Sequence, residues 1–166
     1  TGGAFILVPR ANNYRDMQFL AQHIFLDGAA DGEGATVLVV NASNYASLGA
    51  TAKQRLEALG LTVAKAQPFA AGAIGQTVLV SANPGRYPAT EQLISLFTRA
   101  GGTIDLANWA SQTGDPTLAA ALATPITINT NRAVNSGAAT TLTPDLVLVL
   151  GQDQPKPPAN TAAGTV

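Results

Sequence analysis

One pattern is written twice in this chain. When Thr36 is laid on Thr77, residues 36–63 match residues 77–104 without a gap. TVLVV opens the first copy and TVLVS the second. Ala52, Leu56 and Leu59 fall on Leu93, Phe97 and Ala100, an apolar stripe at helical spacing in both. Gly60 falls on Gly101, each placed to end its helix as a left-handed cap. Thr62-Val63 falls on Thr103-Ile104, the start of a further strand. Each copy therefore reads strand, helix, strand, and two in tandem give βαββαβ. The link between them, AKAQPFAAGAIGQ, carries Pro68 and two glycines and no helical pattern. Without a crossover helix, the strands near 61–66 and 77–81 are not parallel neighbours. The predicted fold is α+β: a ferredoxin-like βαββαβ pseudo-repeat with PDLVLVLG as an extra C-terminal strand, its helices on one face of a mainly antiparallel sheet.

The flanks divide by composition. Residues 1–28 offer a strand, GAFILVPR, stopped by Pro9, then a helix over NYRDMQFLAQHIF that Asn12 or Asn13 caps. Residues 29–35 read as a flexible linker. The repeat domain runs over 36–151, with an insertion at about 107–143. Within it DPTLAAALA predicts a short helix opened by Asp115 and Pro116, TPITINT a strand, and NRAVNSGAATTLT a loop or exposed hairpin. From Gln152 to Val166 the Pro/Ala/Thr-rich sequence predicts a flexible tail.

Composition narrows the function. Hydrophobic residues, at 46%, suffice for a core, whereas charged residues are only 11%, against roughly a quarter in ordinary soluble domains. Ala, Thr, Asn, Gly and Ser replace them, giving a neutral surface suited to carbohydrate or to another protein. The net charge of −1 and the absence of any Lys/Arg run exclude electrostatic binding of nucleic acid or anionic lipid. With no cysteine there is no disulfide, thiolate metal site or Cys nucleophile. His23 is the single histidine and has no second ligand at metal spacing, so no metal is expected. Carboxylates are scattered without an acid–base pair, and no Gly-x-Ser-x-Gly elbow occurs; neither a catalytic residue nor a cofactor is expected. The longest apolar runs, AFILV and LVLVL, fall far short of the about 20 residues that span a membrane. A start at Thr1 points to a longer precursor.

Binding candidates sit in the polar turns. Asn41, Ser43, Asn44 and Tyr45 stand where the first strand hands over to its helix, and Asn83, Arg86 and Tyr87 occupy the matching turn of the second copy. A helix N-terminus there presents free amides to an anion or a sugar hydroxyl. The competing reading is structural: Ser and Asn cap, while Pro84 and Gly85 shape the turn. Asn41-Ala42-Ser43 is also a glycosylation sequon, but it follows directly from a buried strand. Trp109, in ANWASQTG, either stacks on a sugar or a partner, or pins its loop to the core.

These residues resemble a known family. VLVVNASNYASLGATAKQRLEALGLTV, TVLVSANPGRYPATEQLISLF and PDLVLVLGQD are similar to the C-terminal LytR-type domain of bacterial cell-envelope proteins. Asn41 and Ser43 match its Leu-Asn-Gly-Ser/Thr motif, with Ala42 in place of Gly. Leu59 to Val63, Pro84-Gly85 and Val149-Leu150-Gly151 match three further motifs. The first segment resembles the closing strand and helix of the LytR-CpsA-Psr catalytic domain. The resemblance implies an extracytoplasmic, non-catalytic module that binds wall glycan or an envelope protein, within a larger, membrane-anchored glycopolymer phosphotransferase whose catalytic residues lie before Thr1. The alternative is a self-associating structural or assembly subunit of a surface layer or filament.

Overall fold

The sequence LVLVL at 146–150 buries all five of its side chains, and the fold is arranged around it. The structure is a computed structural model and describes residues 28–113, 116–129 and 139–157. In chain order its elements are β1 (Thr36–Asn41), α1 (Leu48–Ala58), β2 (Thr62–Pro68), β3 (Val78–Ser81), α2 (Pro88–Thr98), β4 (Thr103–Asp105), α3 (Leu106–Thr113), α4 (Thr117–Ala123), β5 (Ile126–Asn129), β6 (Ala139–Leu142) and β7 (Leu146–Leu150). A mixed five-stranded sheet runs in the order β2-β1-β7-β3-β4, and β5 and β6 pair as a separate antiparallel hairpin. The class is α+β, and the βαββαβ repeat is present as β1-α1-β2 and β3-α2-β4.

Three details differ from the sequence reading. The sheet is not mainly antiparallel: β1–β2, β1–β7 and β3–β4 are parallel, and only β3–β7 is antiparallel. A crossover helix lets the two strands of one unit lie side by side, so each βαβ unit keeps its own parallel pair. The reversal falls where the units meet. The strand taken as an extra is the centre of the sheet, wedged between the two copies. Nor do helices cover one face only. Alternate residues of β1 and β7 point to opposite sides. Val37, Val39, Leu146 and Leu148 pack under α1 and α2 with Leu56, Leu93 and Ile94. Leu38, Val40, Val147 and Val149 pack on Trp109, Leu118 and Leu122 of α3 and α4. Continuous apolar strands are the mark of a sheet buried on both faces, and the insertion supplies the second cover.

The flanks differ too. Residues 28–33 are helical, so the helix takes in most of the linker expected at 29–35, and Gly34 at φ 63° ends it. The start of the expected tail is folded: Asp153 Oδ1 accepts the Thr77 N–H (2.9 Å) and hydroxyl (2.6 Å), and Gln154 Nε2 donates to the Thr98 carbonyl (2.6 Å). The expected strand and helix over residues 1–27, with His23, lie outside the described residues, as do Asp115 and residues 158–166. Gly60 does close α1, at φ 85°, in a motif where Gly60 N–H donates to Glu57 O and Leu61 N–H to Leu56 O. Gly101 does not close α2; Arg99 takes the left-handed cap, at φ 58°.

Two aspartates fix the shared strand to both copies. Asp145, just before β7, accepts the Thr36 N–H on Oδ2 (2.9 Å) while its own N–H donates to Thr36 O (2.8 Å). Asp153, just after β7, holds the equivalent Thr77. Gly151 lies between them, and a Cβ there would sit 2.4 Å from the Gln76 carbonyl carbon. Only glycine fits.

Candidate functional site

β1 and β2 are parallel, so both end at the side of the sheet where α1 begins. Such carboxyl ends are where open α/β sheets leave room for a ligand. A cleft of about 600 Å³ lies there. One wall is the turn carrying Asn41, Ser43 and Asn44; the floor is Gly49 and Ala50 of the first turn of α1; the far wall is the end of β2 with Gln67 and Phe69. Backbone bonds from Phe69 N–H to Asn41 O and from Ile74 N–H to Ala42 O, both 2.9 Å, hold the walls at a fixed separation. No charged residue lines it.

Asn41 and Ser43 build this turn from within. Asn41 Nδ2 donates to Tyr45 O (2.8 Å), and its Oδ1 accepts the Ser43 hydroxyl (2.6 Å) and N–H (3.1 Å). Tyr45 N–H in turn donates to Ser43 Oγ (3.2 Å). This is an Asx-type turn, which explains why Asn ends the strand here. The Asn41 amide is committed to the backbone, which is at odds with glycosylation at its sequon. Asn44 is exposed at the cleft rim and makes no such bonds. Tyr45 turns away and packs against the core beneath α1 and α2.

The turn of the second copy is a different object. Because β3 runs against β7 and β1 runs with it, the two turns lie at opposite ends of the sheet. Asn83, Arg86 and Tyr87 are therefore not brought together with Asn41, Ser43 and Asn44. Tyr87 Oη donates to Asp145 Oδ1 (2.9 Å), and Arg86 lies over the Tyr87 ring at 5.4 Å. Burial, then the hydrogen bond to Asp145 and its negative charge, push the Tyr87 phenol above its ordinary range. Asn83 is exposed and donates its N–H to Ser81 Oγ (3.1 Å).

Two carboxylates that sequence reasoning left unassigned seal this second turn. Glu33 accepts the Ala89 N–H and the Thr90 N–H, each at 2.9 Å, and the Thr90 hydroxyl at 2.7 Å. These are the free amides at the start of α2, where a negative charge is stabilised by the helix dipole. Desolvation raises the Glu33 pKa, but the bonds from Thr90 and Ala89 outweigh it and hold the carboxyl below its ordinary value. Glu91 accepts the Gly85 N–H (2.9 Å) and the Thr103 hydroxyl (2.7 Å). In the first copy Ala50 stands where Glu91 stands in the second. Ser47 makes no side-chain bond into α1, and the first turn holds no acidic residue. One helix start is plugged; the other opens on the cleft.

Trp109 belongs to the core. It is 4% exposed, lies edge-on to Phe69 at 6.5 Å, and packs with Leu118 and Leu122. Phe69 thereby links the cleft wall to the second core. The signal that would have found α3 was local: Asp105 Oδ1 accepts the Ala107 N–H (2.8 Å), a capping aspartate ahead of Leu106 and Trp109 at helical spacing. Nothing in the sequence marked Gln67 and Phe69 as cleft residues.

Among the described residues there is no group of three or more potential metal ligands, and no helix is long and apolar enough to cross a membrane. Compared with known proteins, the chain matches no family model, no curated protein and no solved structure.

Proposed function

We propose that this chain is a non-catalytic binding module of the bacterial cell envelope, holding wall glycan in the cleft between the turn after β1 and the end of β2. The observation that carries the reading is the pairing of an uncharged cleft with a helix start left without a capping side chain. The side-chain amides of Asn44 and Gln67, with the α1 amides, match the alternating donors and acceptors of a neutral sugar, and Phe69 offers an aromatic surface for a ring. The motif resemblance to the LytR-type C-terminal domain supports an extracytoplasmic place within a larger glycopolymer-transfer protein. An envelope protein presenting an uncharged polar loop would use the same groups.

Isothermal calorimetry with soluble wall-glycan oligosaccharides tests this. Binding that is largely insensitive to salt is expected, with a loss of about tenfold in Asn44→Ala and near abolition in Ala50→Glu, which places a carboxylate where the second copy has Glu91. No heat with any glycan, in a protein shown to be folded, contradicts the reading.

A further inference from the structure

The described residues include six cationic side chains, and three of them, distant in sequence, border one groove: Arg55 from the last turns of α1, Arg99 at the end of α2, and Lys156 from the segment after β7. The groove encloses about 560 Å³. It runs along the side of α1 turned away from Gly49 and Ala50, so it is separate from the cleft.

In a chain so poor in charge this convergence calls for a cause, and ion pairing is not one. Lys53 pairs with Glu57 and Arg86 covers the Tyr87 ring, but Arg55, Arg99 and Lys156 meet no carboxylate in an ion pair among the described residues. The one acid bordering the groove, Asp153, has its Oδ1 occupied by the Thr77 N–H and hydroxyl. Arg99 adds a second anomaly. It is the one non-glycine with a left-handed backbone among the described residues, at φ 58°, where the other copy ends its helix on Gly60 at φ 85°. A strained, charged residue kept where glycine would sit without strain is a pointer to function.

We infer that this groove binds a ligand carrying an oxyanion, phosphate or carboxylate, on a larger body. Two guanidinium forks and an ammonium supply charge-assisted donors to such a group. The volume exceeds what a single anion fills, and Phe97 offers an apolar surface for the remainder. This assignment stands whether or not the cleft takes glycan.

The test is calorimetry on the full chain with inorganic pyrophosphate and with citrate, at about 20 mM and about 300 mM salt. Binding is expected to strengthen at low salt and to weaken about tenfold in Arg55→Ala and in Arg99→Gly. The Arg99→Gly variant separates binding from folding, because glycine suits the left-handed cap and its thermal midpoint is expected at or above that of the parent. Preference for pyrophosphate assigns a phosphate ligand, preference for citrate a carboxylate one, and parity an anion site indifferent to the group. Absence of binding by both anions, affinity unchanged in both variants, or equal binding of single-stranded DNA in proportion to its charge overturns the assignment.

Discussion

In the second copy of the repeat the first turn of α2 meets the Glu33 carboxylate; in the first copy the same turn of α1 meets the open cleft beside Asn44. Strands and helices of the two copies are alike because both must bury the same stripe against the same sheet. They part where the helices begin. One helix start is spent on docking the helical segment at 28–33, and the other is left without a side-chain partner. Duplication thus gives two equivalent helix termini, and two carboxylates, Glu33 and Glu91, decide which becomes structure and which stays open to a ligand.

The comparison breaks most completely at the strand both copies share. Gly151→Ala forces a Cβ into the backbone of Gln76 and Thr77, with contacts of 2.4–2.8 Å. A loss of more than about 3 kcal/mol, or failure to fold, is expected in urea unfolding. Retention of parental stability would show that β7 is not the clamp between the copies.

Next in size is Glu33→Gln. It replaces a charged acceptor of three bonds at a helix start, and a loss of about 2 kcal/mol at neutral pH is expected. The sign of the pH effect follows from the lowered pKa. The Glu33 contribution is complete above the ordinary carboxyl value of 4.5 and is lost as pH falls through the lower folded value. Urea midpoints of parent and variant should therefore converge as the pH falls below the ordinary carboxyl value. Ala50→Gln in the first copy should show no comparable change with pH.

A smaller effect is expected from Tyr87→Phe, about 1 kcal/mol, since Asp145 Oδ1 loses its donor. Because the phenol is raised, the Tyr87 contribution is complete below the ordinary value of 10.0 and fades as pH climbs through the folded one. Tyr45→Phe, whose ring packs without such a bond, should stay within about 0.5 kcal/mol of the parent. Opposite in sign is Arg99→Gly, a gain of up to about 1 kcal/mol in thermal unfolding from release of the left-handed strain.

Much of the architecture was legible because it is written in local patterns. TVLV twice, the stripe Ala52-Leu56-Leu59, and Gly60 as a cap all act within one or two turns of chain. The five-residue apolar run of β7 announced a buried strand but not its neighbours, since strand order is set by contacts more than a hundred residues apart, as between Asp145 and Thr36. The same distance hid the caps: Glu33 reads as a linker acid until the fold carries it to Ala89. Of the eight binding candidates, seven stand in turns correctly placed at helix starts. Asn41 and Ser43 are taken up by Asx geometry, Tyr87 by Asp145 and Trp109 by burial in the core, while Asn44 stays exposed at the cleft. Asn41, Ser43 and Asn44 share one cleft. Asn83, Arg86 and Tyr87 lie at the other end of the sheet because β1 and β3 run in opposite directions, and Tyr45 and Trp109 pack into the cores.

The most direct test of the difference between the copies is a two-dimensional amide NMR titration of the chain with wall-glycan oligosaccharide. Shifts concentrated at Asn44, Gly49, Ala50 and Gln67, with Ala89 and Thr90 unmoved, are the expected result. Shifts centred on residues 83–90, or none anywhere at saturating oligosaccharide, would contradict it.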